Sequence, residues 1–517
     1  MLLYHVETYG KKCGPAFRET PRPDIMPASE KPLLLLIHPY TGFWDSYRSA
    51  PSLPLNLLHA ASLLTGAFDV SIVDLRVTRD WRAALRDALA RNPCLAGLTM
   101  MTGPSVESSI EIMKYIKGRS SVPVVCGGPH ATMVPDTTLD HPLVDYVVTG
   151  AGETAIADLA AALAWGQPLE NPQILHENKS APPARAPLFD IESAPDLPYH
   201  LINPRDYHQT FDGVKRFLSM ETSRGCNRGC AHCYNSADRT GPWRAQSPAR
   251  VFERLKRLKN ELGANAVYFV DDNFFMNVPR ALEIADAVMR LGMKWQVQGI
   301  DLQTLGAMDD ATLRHLADTG LLRVNIGIES GSDRVRAMIR KKPSANEVLD
   351  IVRRMRKFPF IVYCSFIVNF PGETADDVKK TVRLIRALCD ANPRFRNSPV
   401  YQYVPFPGTL IAESAQRNGF PKPQRLEDWG RISYERGCGV DHPGLGAGFY
   451  RALYFLTLFN DRKSNEYLSD PALRALSRAY QPIARFRLKH ELFQLTPEIL
   501  AYEMINARRG NKARSSR

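Results

Sequence analysis

Twice along this chain, short and continuously apolar segments alternate with amphipathic helical stretches, and that rhythm leaves few folds open. A strand that is apolar on both faces must be covered on both, as in a parallel sheet with crossover helices packed against it. In the first series Leu33–His38, Val70–Asp74, Leu95–Met101, Val122–Cys126 and Tyr146–Thr149 read as strands. Pro54–Leu64, Trp81–Ala90, Val106–Ile116 and Glu153–Ala164 read as the helices between them. The pattern predicts a doubly wound α/β domain over 31–166. Residues 1–30 read as an irregular lead-in, and the Pro- and Ala-rich stretch 167–214 as a surface linker.

The second series places strands at Phe217–Glu221, Ala266–Val270, Trp295–Gly299, Arg323–Gly327, Val362–Phe370 and Val400–Val404. Helical stretches lie between them, among them Pro248–Leu262, Val278–Leu291, Asp310–Thr319 and Ala345–Arg356. Six such repeats predict a partial (β/α)6 barrel over 215–415. The remainder, 416–517, reads as a helical region, with helices at Phe449–Phe459 and Pro471–Lys489, ending in the basic tail Arg508–Arg517.

Two or three domains are the expectation for 517 residues. No apolar run reaches the roughly 18–20 residues that span a bilayer. Lys11, Lys12 and Cys13 interrupt the N-terminus before a signal-peptide core develops, so the cytoplasm is the expected compartment. The net charge of +12 spreads along the chain rather than forming one stripe, which argues against a nucleic-acid partner.

Of nine cysteines, three cluster in Glu221-Thr-Ser-Arg-Gly-Cys226-Asn-Arg-Gly-Cys230-Ala-His-Cys233, directly after the first strand of the second series. Clustering in a reducing compartment points to metal rather than disulfides. A loop of this spacing can wrap three corners of a cubane [4Fe–4S] cluster and leave the fourth iron open to a chelating small molecule. Zinc is the alternative, but it wants a fourth ligand, and His232 is too tightly flanked to fold back as one.

This loop in this position resembles the radical S-adenosylmethionine (SAM) superfamily, over residues 215–410 or so. The resemblance implies that Cys226, Cys230 and Cys233 hold the cluster and that SAM chelates its open iron. His232 stands where the family usually has an aromatic ring, and would pack beside the adenine. By the same likeness Asp271 would hold the methionine amino group, Glu329 and Ser330 the ribose, and Asn369 would lie near the adenine. Tyr403–Thr409 resembles the sixth-strand exit that recurs in cobalamin-containing members.

Neither Cys126-Gly127-Gly128 nor Thr149-Gly150-Ala-Gly152-Glu153 is a dinucleotide fingerprint. The layout of the first domain instead resembles the cobalamin-binding domain fused to many radical SAM enzymes. That likeness assigns Thr99, Thr102, Gly127, Gly128, Gly150, Gly152 and Glu153 to the cofactor. The loop His38-Pro-Tyr-Thr-Gly42 lacks the family's Asp-x-His-x-x-Gly pattern, so His38 is not assigned to cobalt. His130 has two readings, a contact with the cobalamin tail or a surface loop histidine. Cys438 is expected to be an inert buried thiol rather than a substrate-facing one.

Both likenesses together imply three cofactors (a [4Fe–4S] cluster, SAM and cobalamin), a small-molecule substrate and an electron donor such as flavodoxin or ferredoxin. The implied reaction generates a 5′-deoxyadenosyl radical that abstracts hydrogen from an unactivated carbon of a small-molecule, lipid or pigment precursor, which methylcobalamin then methylates. The alternatives are oxidative cyclisation or rearrangement without methyl transfer, and, further off, a methylthiotransferase or nucleic-acid binder. A methylthiotransferase would carry a second cysteine trio in the first domain, where Cys13, Cys94 and Cys126 stand far apart.

Overall fold

A computed structural model describes residues 31–42, 45, 49–177, 188–236, 241–434, 437–440, 444–445, 448–460, 471–493 and 499. The expected lead-in 1–30 and the basic tail lie outside these. The first sheet contains β1 (Leu33–His38), β2 (Asp69–Asp74), β3 (Leu95–Thr99), β4 (Val124–Gly127), β5 (Tyr146–Val148) and β6 (Ile174–Leu175). Their order is β2-β1-β3-β4-β5-β6, parallel except for β6. β1 and β3 are buried along their whole length, as continuous apolar runs require.

The segment read as a linker does more than connect. Ile174 and Leu175 are buried and close the far edge of the first sheet antiparallel to β5. Two residues give no readable period, so this strand escaped pattern analysis.

The second sheet begins with an antiparallel edge strand, β7 (Gln209–Phe211), followed by β8 (Val214–Met220). A two-stranded ribbon, β9 (Ser223–Arg224) and β10 (Arg244–Ala245), comes next. Then follow β11 (Ala266–Phe269), β12 (Lys294–Gln298), β13 (Leu321–Glu329), β14 (Ile361–Val368) and β15 (Phe395–Gln402). The order β15-β14-β13-β12-β11-β8-β7 is sequential, and β8 and β11 to β15 are all parallel. Same-handed crossovers in sequential order put every helix on one side and curl the sheet. β8 and β15 do not pair, so the barrel stays open.

The helix Phe449–Leu458 covers β15. Thr457 receives the Asn397 amide at its carbonyl (2.9 Å) and the Val400 N–H at its hydroxyl (2.9 Å). The short helix Leu426–Gly430 reaches the first sheet instead, where the Trp429 carbonyl accepts the Gly103 N–H at 3.1 Å. Connecting segments also tie each sheet to the other domain: the Tyr207 hydroxyl donates to Asp74 Oδ2 at 3.0 Å, and the Leu53 N–H to Ser219 Oγ at 3.1 Å. No helix among the described residues is long and apolar enough to cross a membrane.

The turn leaving β14 buries Glu373, whose carboxylate accepts the Phe370 N–H at 3.1 Å. Burial pushes its pKa from 4.5 up to about 8, against the pull of the Phe370 and Asn369 N–H groups. The folded chain therefore keeps a proton that the unfolded chain releases near pH 4.5. This group's contribution to stability is full below that pH and is lost as pH rises through about 8. In thermal melts across that window, Glu373→Gln should flatten the decline; an unchanged slope would assign it to another group.

Candidate functional site

The carboxyl ends of both parallel sheets face one another, the edge where open α/β sheets and barrels bind ligands. The cysteine loop sits there, clamped from several sides. Asp271, just beyond β11, accepts the Thr222 N–H (2.8 Å) and the hydroxyls of Thr222 and Ser223 (2.6 Å each). Asp272 accepts the Gly225 N–H at 2.8 Å. Gly225 has φ +85°, and a Cβ there would lie 2.9 Å from the Pro242 carbonyl oxygen, so the tight entry needs glycine. Farther along, Ala231 donates to the Ile339 carbonyl and accepts from the Ile411 N–H.

All three loop cysteines are unpaired and partly buried. Burial pushes Cys233 up to about 12 and raises Cys230, with the Lys341 charge opposing at both. The Asn273 amide lies 3.9 Å from Cys226 Sγ and donates to Asp301 at 3.1 Å. No His, Cys, Asp or Glu group among the described residues converges as ligands of a single metal ion would. Three unpaired thiols on one loop, with an amide donor beside one sulfur, fit a [4Fe–4S] cluster.

Beside the loop, Glu329 ends β13 with φ +67°, an uncommon conformation for a residue other than glycine. Its Oε1 lies 3.1 Å from Lys341 Nζ and 3.9 Å from His232 Nε2, while Oε2 is buried without a partner. Burial opposes the Lys341 charge, but Glu329 and Cys230 outweigh it and hold its pKa above the ordinary value. His232 packs edge-on against Phe370 at 5.5 Å. Burial lowers it to about 4, so the ring is neutral, and Nδ1 has no partner. Gly327 makes room: a Cβ there would stand 2.1 Å from Glu329 Oε1. Sequence reading missed Lys341; its only signal was a position shortly after the Gly327–Gly331 segment.

A second feature is a cleft enclosing about 1280 Å³, part of it open to solvent, between the first sheet and the cysteine loop. Thr99, Gly127, Gly128, Gly150, Gly152 and Glu153 line one wall, and Gly225, Tyr234, Arg244 and Asp272 the other. Gly128 has φ +90°, and a Cβ there would meet Thr99 Oγ1 at 2.7 Å, so the strand exits approach closely only without a side chain. Arg224 joins the walls, donating to Glu153 Oε1 at 2.6 Å and Glu221 Oε2 at 2.7 Å. His59 Nε2 lies 3.5 Å from the same Glu221 oxygen.

Four expected site residues are engaged with other side chains. Asp271 accepts from Thr222 and Ser223 and so positions the cysteine loop; burial raises it to about 6. Ser330 Oγ is shared between Thr381 Oγ1 (3.2 Å) and the Ser332 N–H (3.1 Å). Asn369 accepts the Tyr450 hydroxyl (3.0 Å) and donates to the Val440 carbonyl (2.9 Å), tying the C-terminal region to the barrel mouth. Thr102 is not among the cleft-lining residues; its hydroxyl lies 2.9 Å from His130 Nδ1. His130 is buried edge-on to Trp429 at 5.7 Å, which excludes a surface position. Cys438 is partly buried, and burial raises its thiol to about 11.

The family model described as the Radical SAM superfamily matches residues 220–385, and that of the B12 binding domain matches 49–160. The chain belongs to the radical SAM enzymes that carry a B12-binding domain. It is 29% identical over 377 residues (71% of this chain, 79% of the relative) to the "uncharacterized methyltransferase PH0819" of Pyrococcus horikoshii. It is 24% identical over 380 residues to the cytidylyl-2-hydroxyethylphosphonate methyltransferase of Streptomyces wedmorensis, covering 66% of this chain and 70% of that one. In fold it is similar to the radical SAM methyltransferase TsrM of Kitasatospora setae, solved with cobalamin and a [4Fe–4S] cluster, at TM-score 0.65 and 17% identity, covering 89% of this chain and 100% of that one. The groups this radical SAM enzyme must accommodate are a [4Fe–4S] cluster, SAM and cobalamin, and the thiol trio and the glycine-walled cleft fit them.

Removing Arg224 leaves the buried Glu153 carboxylate without its cation and the half-buried Glu221 with one partner fewer, and breaking a buried pair costs on the order of 3–5 kcal/mol. Arg224→Ala should lower the unfolding midpoint and reduce iron content after reconstitution, with Arg224→Lys recovering part of both. Full iron content in Arg224→Ala would disconnect the seam from the loop.

Proposed function

We propose that this radical SAM enzyme is a C-methyltransferase acting on an unactivated carbon of a small-molecule, lipid or pigment precursor. The observation that carries this reading is the shared position of the two sites: the glycine-walled cleft opens onto the loop bearing Cys226, Cys230 and Cys233. When bound, the cluster supplies the electron that cleaves SAM and the corrinoid supplies the methyl group. Cys226, Cys230 and Cys233 are the metal ligands in this reading, each giving up a thiol proton on binding. The Asn273 amide stabilises charge on the Cys226 sulfur, and Lys341 does so near Cys230.

Glu329 Oε2 is placed to accept a sugar hydroxyl, and the neutral His232 ring offers a flat face and an unpartnered nitrogen to a nucleoside base. Thr99, Gly127, Gly128, Gly150 and Gly152 form the corrinoid wall, and Glu153 is held there by Arg224. Tyr234, partly buried and raised to about 12, remains a protonated phenol on the opposite wall. The resident compartment in this reading is the cytoplasm, with a flavodoxin or ferredoxin as reductant.

The test is anaerobic reconstitution with iron, sulfide and cobalamin, followed by desalting, absorbance spectra and product analysis. Retained corrinoid absorbance beside the iron–sulfur shoulder is expected, with S-adenosylhomocysteine and 5′-deoxyadenosine forming alongside a methylated product. Each of Cys226→Ala, Cys230→Ala and Cys233→Ala should abolish the shoulder. 5′-Deoxyadenosine without S-adenosylhomocysteine would replace methyl transfer by cyclisation or rearrangement, and a cluster without corrinoid would end the proposal.

A further inference from the structure

The helix Pro471–Lys489 buries one side and leaves an apolar stripe on the other. Ser477, Ala484 and Leu488 face inward, and Tyr480 packs on Phe455 of the helix Phe449–Leu458 and on Phe459 just beyond it. Outward, Leu476 is 57% exposed, Ile483 52% and Phe486 57%, and Leu492 just beyond the helix is 47% exposed. These four belong to a set of only ten large hydrophobic side chains exposed among the described residues, so the clustering is not scattered surface apolarity. Leu476, Ala479, Ile483 and Phe486 follow the i, i+3, i+7, i+10 spacing of one helical face.

The charge on this element has one sign. Pro471–Lys489 contains Arg474, Arg478, Arg485, Arg487 and Lys489 and no acidic residue. Arg485 and Arg487 serve the fold, donating to the carbonyls of Asn460 and Leu492. Arg478 and Lys489 are exposed along the border of the apolar stripe. The neighbouring helix Ala375–Ala391 adds Lys379 and Arg383, half-exposed and engaged with Glu491. An exposed apolar stripe bordered by cations complements a surface with an apolar interior and anionic head groups.

We propose that this face docks the enzyme reversibly on an anionic phospholipid surface, with Leu476, Ile483, Phe486 and Leu492 entering the head-group boundary and Arg478 and Lys489 meeting lipid phosphates. The inference is independent of the reaction catalysed, since it uses no residue of the cysteine loop or the cleft.

The test is co-sedimentation of the full-length, cluster-loaded protein with vesicles of phosphatidylglycerol and phosphatidylcholine, against phosphatidylcholine alone. Binding to the anionic vesicles should be at least about tenfold stronger and weaken with salt, as contact between cations and an anionic surface requires. Ile483→Asp/Phe486→Asp should abolish it while the circular dichroism spectrum and iron content stay unchanged. Arg478→Ala/Lys489→Ala, which keeps the apolar stripe, should weaken it several-fold. No sedimentation with anionic vesicles, or sedimentation untouched by either double variant, overturns the proposal. So does a dimer in light scattering that Ile483→Asp/Phe486→Asp splits, because the face would then belong to a second copy of the chain.

Discussion

Arg224 lies between Glu153 at the carboxyl edge of the first sheet and Glu221 at that of the second, two residues before the first cysteine of the loop. The guanidinium is largely removed from water, and a charge so placed persists only when its donors are met by acceptors. It therefore fixes how far apart the two edges stand, and with that the cleft between them. Everything else at the site is built outward from this seam. Asp271 and Asp272 hold the loop's entry, Ala231 ties its middle to the segments after β13 and β15, and the cleft takes its opposite wall from the same loop.

Backbone strain collects at the same edge. Glu329 and Asn369 follow the buried cores of β13 and β14, and both adopt positive φ without being glycine. Such a conformation persists only where the surroundings over-determine it. Asn369 is fixed by Tyr450 and Val440, so the C-terminal region acts as a brace for the mouth rather than an appendage. Glu329 is fixed on one carboxylate oxygen by Lys341 and left unmatched on the other. An oxygen held in place yet unsatisfied is what a site poised for a ligand retains.

Most parallel strands of both sheets could be located because apolar residues dominate them, a signal carried by the segment itself, although β15 (FRNSPVYQ) begins at Phe395, well ahead of the expected Val400. The β6 edge strand could not, since two residues show no period and owe their conformation to pairing with β5. A similar division runs through the site. Cys226, Cys230 and Cys233 announce themselves by spacing within one loop. Asp271, Ser330, Asn369 and Thr102 were recognisable as polar groups near strand ends, but their partners (Thr222, Thr381, Tyr450 and His130) are distant in sequence. Lys341 was invisible for the same reason, because its role depends on a carboxylate brought alongside by the end of β13.

The sequence by itself determined the two parallel βα frameworks, their order along the chain and the thiol trio, because all three rest on local periodicity and local spacing. Only the tertiary structure decided which acids brace the loop and which keep an unmatched oxygen, how the two edges oppose one another across Arg224, and which helix face was left apolar. Those outcomes depend on distances between segments that share no neighbourhood along the chain, and no local pattern encodes such a distance.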